Sequence, residues 1–320
     1  MFSVNQAAMK IVHEKILPNI EQLNCAVVRL GNGATVIDMG LHAPGGWQAG
    51  KLFTEVALGG LAYVRFGRFS AGEINLPSID VYIDHPQIAC ISSQFSSWKM
   101  PPGYLGDDGI PPLGGGPARA IARNDIFSQA WGYQDMHHET VLGVQISEMP
   151  DEAFAQHVAD ACKVRVENVY LLVAKTGSLA GMIQICSRSV ETSIWRLRKK
   201  GLDLKKIIAG MGSCPIPPPT WDEHIAMDRV NTAVIYGGSA RYLVDANDEE
   251  VEAIIGKLSI SSSDCYGEHF MQIYEDSGRD IFKIEKDINT ISVFDITNLA
   301  TGRTFREGVI REDMLTASFF

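Results

Sequence analysis

The sequence predicts an α/β fold with mixed α+β sheets, divided into two domains. Three observations carry this. Apolar segments of strand length alternate along the chain with segments of helical spacing. Residues 169–174 and 233–238 are continuous apolar runs, the pattern of strands covered on both faces. At 320 residues the chain is longer than one small core organises.

The elements follow in order. Residues 3–23 place Met9, Val12, Ile16, Ile20 and Leu23 at helical spacing. Ser3 and Gln6 have the separation of a capping box, and Pro18 should kink or interrupt the helix. Residues 25–30 and 34–38, joined by Gly31-Asn32-Gly33, read as a β-hairpin. Pro44-Gly45-Gly46 breaks the chain before an apolar segment ending at Gly59-Gly60. Residues 61–66 and 78–83 are strand candidates. Residues 100–117 hold six glycines and five prolines, so they form a loop, and a domain boundary is expected there, at 1–110 and 111–320, with a discontinuous division left open. Residues 140–146 are a strand, and Pro150-Asp151-Glu152 opens a helix through Cys162 with acidic residues in its first turn. A helix is expected over about 179–200, a proline-rich connection over 213–219, and a buried strand over 233–238.

Composition narrows the function. Hydrophobic residues at 46% and charged residues at 21% describe an ordinary globular chain. No run of eighteen apolar residues spans a bilayer, and Met1-Phe2-Ser3-Val4-Asn5 lacks the basic and apolar regions of a signal peptide, so the expected location is the cytoplasm. A formal charge of −10 repels nucleic acid and anionic membranes at long range, which argues against both as partners. The six cysteines are too widely scattered for a zinc or redox motif and read as reduced core or near-core thiols.

The segment 183–200 carries the most informative spacing. On a helical wheel Ile183, Val190, Ile194 and Leu197 share one face, while Gln184, Arg188, Glu191 and Trp195 share the adjoining stripe. Arg188 and Glu191, three apart, are able to touch. One reading is a surface ion pair worth roughly 0.2–0.5 kcal/mol. The other is a partly covered carboxylate whose proton affinity a cation tunes, favoured by the unfavourable Arg-before-Glu order and by Trp195 on the same stripe.

Other motifs are weaker. Gly114-Gly115-Gly116-Pro117 before Ala118-Arg119-Ala120 would let backbone N–H groups approach an anion at a helix start, with Arg119 or Arg123 near, or would simply turn the chain. Lys175-Thr176-Gly177 lacks the glycines of a P-loop, and no Gly-x-Gly-x-x-Gly string occurs. His137-His138 are adjacent and no histidine pair has helical spacing, so no metal site is expected. Arg196, Arg198, Lys199, Lys200, Lys205 and Lys206 read as a solvated helix end.

Taken together these strings resemble the methenyltetrahydromethanopterin cyclohydrolases of methane-metabolising archaea and some methylotrophic bacteria. The likeness runs nearly end to end: Ser3-Val4-Asn5, residues 32–38, Gly45-Gly46, Ala49-Gly50, Glu55-Val56, Gly59-Gly60-Leu61, Gly114 to Ala120, residues 167–174, Arg188 with Val190-Glu191-Thr192, and residues 230–238. The resemblance implies a two-domain α/β subunit of unusual topology, a homotrimer, and a substrate cleft between domains. It implies a hydrolase opening a cyclic amidine carbon–nitrogen bond in one-carbon metabolism, with tetrahydromethanopterin as a substrate carrier and no permanently bound cofactor. The family's catalytic arginine and glutamate match Arg188 and Glu191. Gln184, Thr192, Trp195, Ser178, Asn231 and Phe95 are expected to contact the substrate, with Gly115, Gly116, Arg119 and Arg229 toward the phosphate-bearing tail. Phe95 stands where archaeal relatives often carry a lysine, with Lys99 a candidate substitute, and the loop 101–112 looks longer than usual.

The chemistry follows from the substrate. A methenyl bridge is a resonance-stabilised cation, already electrophilic, so it needs a positioned water and a proton acceptor, the role expected of Glu191. A carboxylate that only attracted the cation would stabilise the ground state without raising the rate. Arg188 is expected to limit that attraction and hold the carboxylate in one rotamer. The competing readings are a non-catalytic pterin-binding protein on the same scaffold, favoured only by Phe95, and a tetrahydrofolate enzyme of similar chemistry.

Overall fold

The computed structural model describes residues 2–98, 100, 110–280, 283–284 and 288–320. Lys99 and residues 101–109 of the long loop lie outside the described residues. The content is mixed α/β, built on two mixed sheets, and the chain forms two compact units, one of residues 1–62 and 87–184, the other of 63–86 and 185–320. Position 110 therefore falls inside the first unit. Glycine and proline mark a turn but do not say which sheet the next strand joins. The hairpin at 63–86 leaves the first unit and pairs in the second sheet.

The first unit holds β1 (Ala26–Arg29), β2 (Thr35–Gly40), β5 (Leu113–Gly115), β6 (Thr140–Gln145) and β7 (Val169–Ala174), in the order β1-β2-β7-β6-β5. The central β2, β7 and β6 are parallel, and the flanking β1 and β5 are antiparallel. Its helices are α1 (Val4–Ile11), α2 (Trp47–Ala57), α3 (Ala118–Ala122), α4 (Ile126–Ala130), α5 (Glu152–Cys162) and α6 (Leu179–Cys186). Ile37 and Leu172 pack with Met9, Val12, Phe53 and Val56 of the N-terminal helices. Val36, Leu171 and Val173 pack with Phe154 and Val158 of α5. The sheet is thus covered on both sides, and that is why β7 is apolar at every position.

Local signals carry these elements. The Ser3 hydroxyl accepts the Gln6 N–H and caps α1. Beyond Ile11 the chain widens into a π-helical turn at Val12–Ile16 and a 3₁₀ turn at Leu17–Asn19 containing Pro18, the interruption expected of a proline there. The hairpin turns at Gly33 with φ of 93°. Asp151 caps α5 by accepting the Phe154 N–H. Burial raises the Cys162 thiol to about 12, so at neutral pH it is an inert core group.

The second unit holds β3 (Ala62–Ala71), β4 (Ile74–Ile83), β8 (Ile207–Pro215), β9 (Ser239–Val244), β10 (Val293–Asn298) and β11 (Thr304–Glu307), in the order β11-β10-β9-β8-β4-β3. Its helices are α7 (Ser189–Lys199), α8 (Glu223–Thr232), α9 (Asp248–Ile255), α10 (Phe270–Asp276) and α11 (Glu312–Phe319). Helix α7 lies close on β8 because that strand is small there. A Cβ on Gly212 would stand 2.9 Å from a Val190 methyl, and one on Gly210 would stand 3.1 Å from the other. Tyr242 of β9 fastens the helix, with its hydroxyl donating to the Val190 carbonyl at 3.0 Å.

Four expectations are corrected. The helix expected over 179–200 is two helices, α6 and α7, separated at Ser187-Arg188. The apolar period runs through the break, so a wheel cannot see it. Residues 233–237 are not a strand but a buried π-helical continuation of α8. A short apolar run does not distinguish a strand from a buried helix. The connection expected from residue 213 begins only after Pro215, because Ser213 and Cys214 pair with Asp80 and Ile79 in the sheet. Arg196 is not solvated: it is wholly buried and donates to the Lys257 carbonyl and the Ser262 hydroxyl, whereas Arg198, Lys199 and Lys205 are exposed.

Candidate functional site

Arg188 and Glu191 sit together at the start of α7. Arg188 is the N-cap residue, with φ −87° and ψ 11°, and its carbonyl accepts the Thr192 N–H that closes the first turn. Glu191 is the third helical residue, in the turn where the helix dipole accommodates an anion. One guanidinium nitrogen of Arg188 lies 3.5 Å from Glu191 Oε1. The Thr192 hydroxyl donates to Oε2 at 3.2 Å. The two carboxylate oxygens are therefore held by different partners, which restricts the rotation of the group.

Burial decides between the two readings of this pair. The Glu191 side chain is 6% exposed and that of Arg188 is 13%. A surface pair of this type is worth a few tenths of a kcal/mol, but a carboxylate withdrawn from water interacts more strongly with its neighbours. Trp195, one turn further, is half-buried, and the Arg198 guanidinium lies 5.2 Å from the centre of its ring.

Gln184 does not share this stripe. It is buried on α6, before the break at 187–188, and belongs to the first unit, whereas Arg188, Glu191, Thr192 and Trp195 belong to the second. Ser178 precedes α6, where its hydroxyl donates to the Lys175 carbonyl and accepts the Gly181 N–H. In the second unit Arg229 donates to the carbonyls of Pro218, Ser318 and Phe319, tying α8 to the C-terminal helix. Asn231 donates to the Met227 carbonyl one turn earlier in α8.

The glycine segment is brought against residues 93–95 of the first unit. Gly116, at φ 131°, donates its N–H to the Ser93 carbonyl at 2.8 Å. A Cβ on Gly115 would collide with the Gln94 carbonyl oxygen, so only glycine fits. Gly115→Ala is expected to cost about 1–3 kcal/mol through overpacking against backbone, a loss that urea unfolding reads directly. Pro117 is the N-cap of the short α3 and not its first helical residue.

Arg119 is fully buried and forms a bidentate pair with Asp125, at 3.1 and 2.8 Å. Its remaining terminal nitrogen donates to the Ile91 and Ser93 carbonyls, both at 3.0 Å. Phe95 stacks on Phe127 with centroids 4.1 Å apart, and the Arg119 guanidinium lies 6.0 Å from the Phe95 ring. This arrangement holds a loop in shape. Burial alone would raise the Asp125 carboxyl, but Arg119 and the Ser128 hydrogen bonds outweigh it and hold the group below its usual range.

Two residues outside the expected set organise these loops. Asp125 is one, and the signal for it was its place before a helical segment, as an N-cap. Asp38 is the other. Buried at the end of β2, it accepts the backbone N–H groups of Gly40, Leu41, His42 and Ala43 at 2.6–3.0 Å and so shapes the turn before Gly45-Gly46. An aspartate two residues before the glycine that closes a strand is the signal for that role.

A family model described as "Cyclohydrolase (MCH)" matches residues 3–319. The methenyltetrahydromethanopterin cyclohydrolase of Methanocaldococcus jannaschii is 37% identical over 324 residues, covering 99% of this chain and 98% of its own. The proteins of the same name from Methanospirillum hungatei and Methanobrevibacter smithii are 33% and 36% identical, each over 100% of this chain and 99% of their own.

Proposed function

The chain belongs to the cyclohydrolase (MCH) family, and from that premise we propose that it interconverts methenyl-tetrahydromethanopterin and water with formyl-tetrahydromethanopterin. The observation that supports this reading is the buried Glu191 carboxylate, held by Arg188 on one oxygen and by Thr192 on the other. Water attacks the methenyl carbon as its proton passes to Glu191, which yields a neutral hydroxyl adduct. The adduct opens by breaking one carbon–nitrogen bond, whose electron pair goes to the ring nitrogen. The hydroxyl proton is lost as the formyl carbonyl forms, and the nitrogen takes up a proton. Glu191 then returns its proton to solvent, so each methenyl cation hydrated releases one proton.

Arg188 is the partner that keeps the carboxylate oriented and moderates its attraction to the substrate cation, so that binding energy is not confined to the ground state. Gln184, Thr192, Trp195, Ser178 and Asn231 remain the proposed substrate contacts. Phe95 offers the pterin an aromatic face where archaeal relatives often offer an ammonium. Gly115, Gly116, Arg119 and Arg229 remain the proposed contacts of the phosphate-bearing tail; Arg119, Arg229 and the Gly116 N–H also serve partners within the fold. The family likeness also supports a homotrimer in the cytoplasm. Among the described residues no helix is long and apolar enough to cross a membrane.

The decisive assay is spectrophotometric. Adding the protein in catalytic amount to methenyl-tetrahydromethanopterin is expected to abolish the methenyl absorbance over many turnovers, with a much slower response to the tetrahydrofolate analogue. A persistent chromophore, perturbed only in proportion to added protein, would instead identify a binding protein. Light scattering on the same sample reads the trimer.

A further inference from the structure

We infer that His137, His138 and Glu139 form a binding site for one borderline divalent transition-metal ion, with zinc(II) as the type case. One ligand atom from each of the three residues lies within 4.8 Å of the others. A tetrahedral ion with bonds of about 2.0–2.1 Å sets its ligands roughly 3.3 Å apart, so side-chain rotations of about an ångström complete the cluster. Spacing arguments miss this site because they look for histidines one helical turn apart. Here a bend at His138-Glu139 lets consecutive side chains converge, and the two imidazole rings already stand 4.5 Å apart between centroids.

The backbone that carries the three residues is fixed at both ends by one side chain. Asn5 donates to the Asp135 carboxylate at 2.9 Å on one side and accepts the Thr140 hydroxyl at 2.8 Å on the other. Asp135 also accepts the Asn5 N–H, the Ser3 hydroxyl and the N–H groups of Met136 and His137. The site is thus presented on a pre-set platform, which lowers the ordering cost of binding.

The ligand chemistry selects the ion. Two imidazoles and one carboxylate, with no thiolate, suit zinc, nickel or copper and not magnesium or calcium, which take oxygen donors. His138 is exposed and the other two are half-buried, which leaves a path of entry. A further imidazole is within reach: His13 Nε2 lies 3.2 Å from Glu139 Oε1. It comes from the π-helical turn after α1 and rests edge-on against Tyr170 at 5.4 Å. An ion here would clip the N-terminal helical segment to the segment leading into β6.

The test is calorimetric titration of the metal-stripped full chain at pH 7.5 with zinc chloride, and separately with magnesium chloride. One zinc per chain is expected, with no response to magnesium. The His137→Ala/His138→Ala double variant should lose this binding, and the isosteric Glu139→Gln should weaken it at least tenfold. His13→Ala should weaken it by a few fold if that ring joins the shell. Zinc should also raise the thermal midpoint of the parent chain and leave that of the double variant unchanged. No zinc uptake, or uptake of equal affinity in the double variant or in Glu139→Gln, would overturn the site.

Discussion

Replacing Glu191 by glutamine is expected to lower kcat at least about a hundredfold, the lower end of what a positioned general base contributes. The amide keeps the size of the side chain and accepts a hydrogen bond, but takes up no proton from the attacking water. Arg188 loses a charge partner 3.5 Å away, yet its side chain retains 13% exposure, so the variant should fold normally by circular dichroism and urea unfolding. The split between kinetic constants separates two roles. A base loses kcat, whereas a residue that only attracts the methenyl cation raises KM and leaves kcat nearly intact. Near-normal kcat in a folded Glu191→Gln protein would reject the proposed chemistry and leave the family membership standing.

The largest expected effect on stability is at Asp125→Ala, about 3–5 kcal/mol, because it leaves the Arg119 guanidinium buried without its counter-ion. Arg119 has no exposed surface and Asp125 is its bidentate partner. The substitution also removes the cap of α4, whose Phe127 and Ser128 N–H groups Asp125 accepts. Urea denaturation measures the loss, and Arg119→Met added to Asp125→Ala should recover part of it, since an apolar side chain tolerates what a lone cation does not. A loss below about 1 kcal/mol would mean that water or another group solvates the guanidinium. The pH dependence has a definite sign. Asp125 titrates below its ordinary 3.8 in the folded chain, so its contribution is complete above that value and disappears as the pH falls through the lower folded one. Asp125→Ala should therefore flatten the acid limb of the stability curve.

The likeness between these residues and what the chain forms is strongest where the interaction is local. Ser3 and Asp151 cap helices because a hydroxyl or carboxylate two or three residues ahead of a free N–H finds it within one turn. The hairpin of β1 and β2 follows from a glycine turn, and β7 from an unbroken apolar run. The Arg188–Glu191 contact belongs to the same class: three residues apart on one helix, the two side chains meet whatever lies around them.

Other features depended on partners far along the chain. Nothing near Arg196 distinguishes it from the exposed cations beside it; its burial comes from Lys257 and Ser262. Gln184 seemed to share a helical stripe with Glu191 because the apolar period persists through the two-residue break, Ser187-Arg188, that separates α6 from α7. His137, His138 and Glu139 became a cluster through a bend anchored by Asn5, more than a hundred residues earlier. By itself the sequence determined the mixed α/β class, the main strands and caps, the family, and the arginine–glutamate pair, because each rests on short-range spacing or on the pattern of whole segments. Only the tertiary structure decided which sheet the 63–86 hairpin joins, which charges are buried, and where helices break, because those outcomes are set by contacts whose free energy has no counterpart in neighbouring residues.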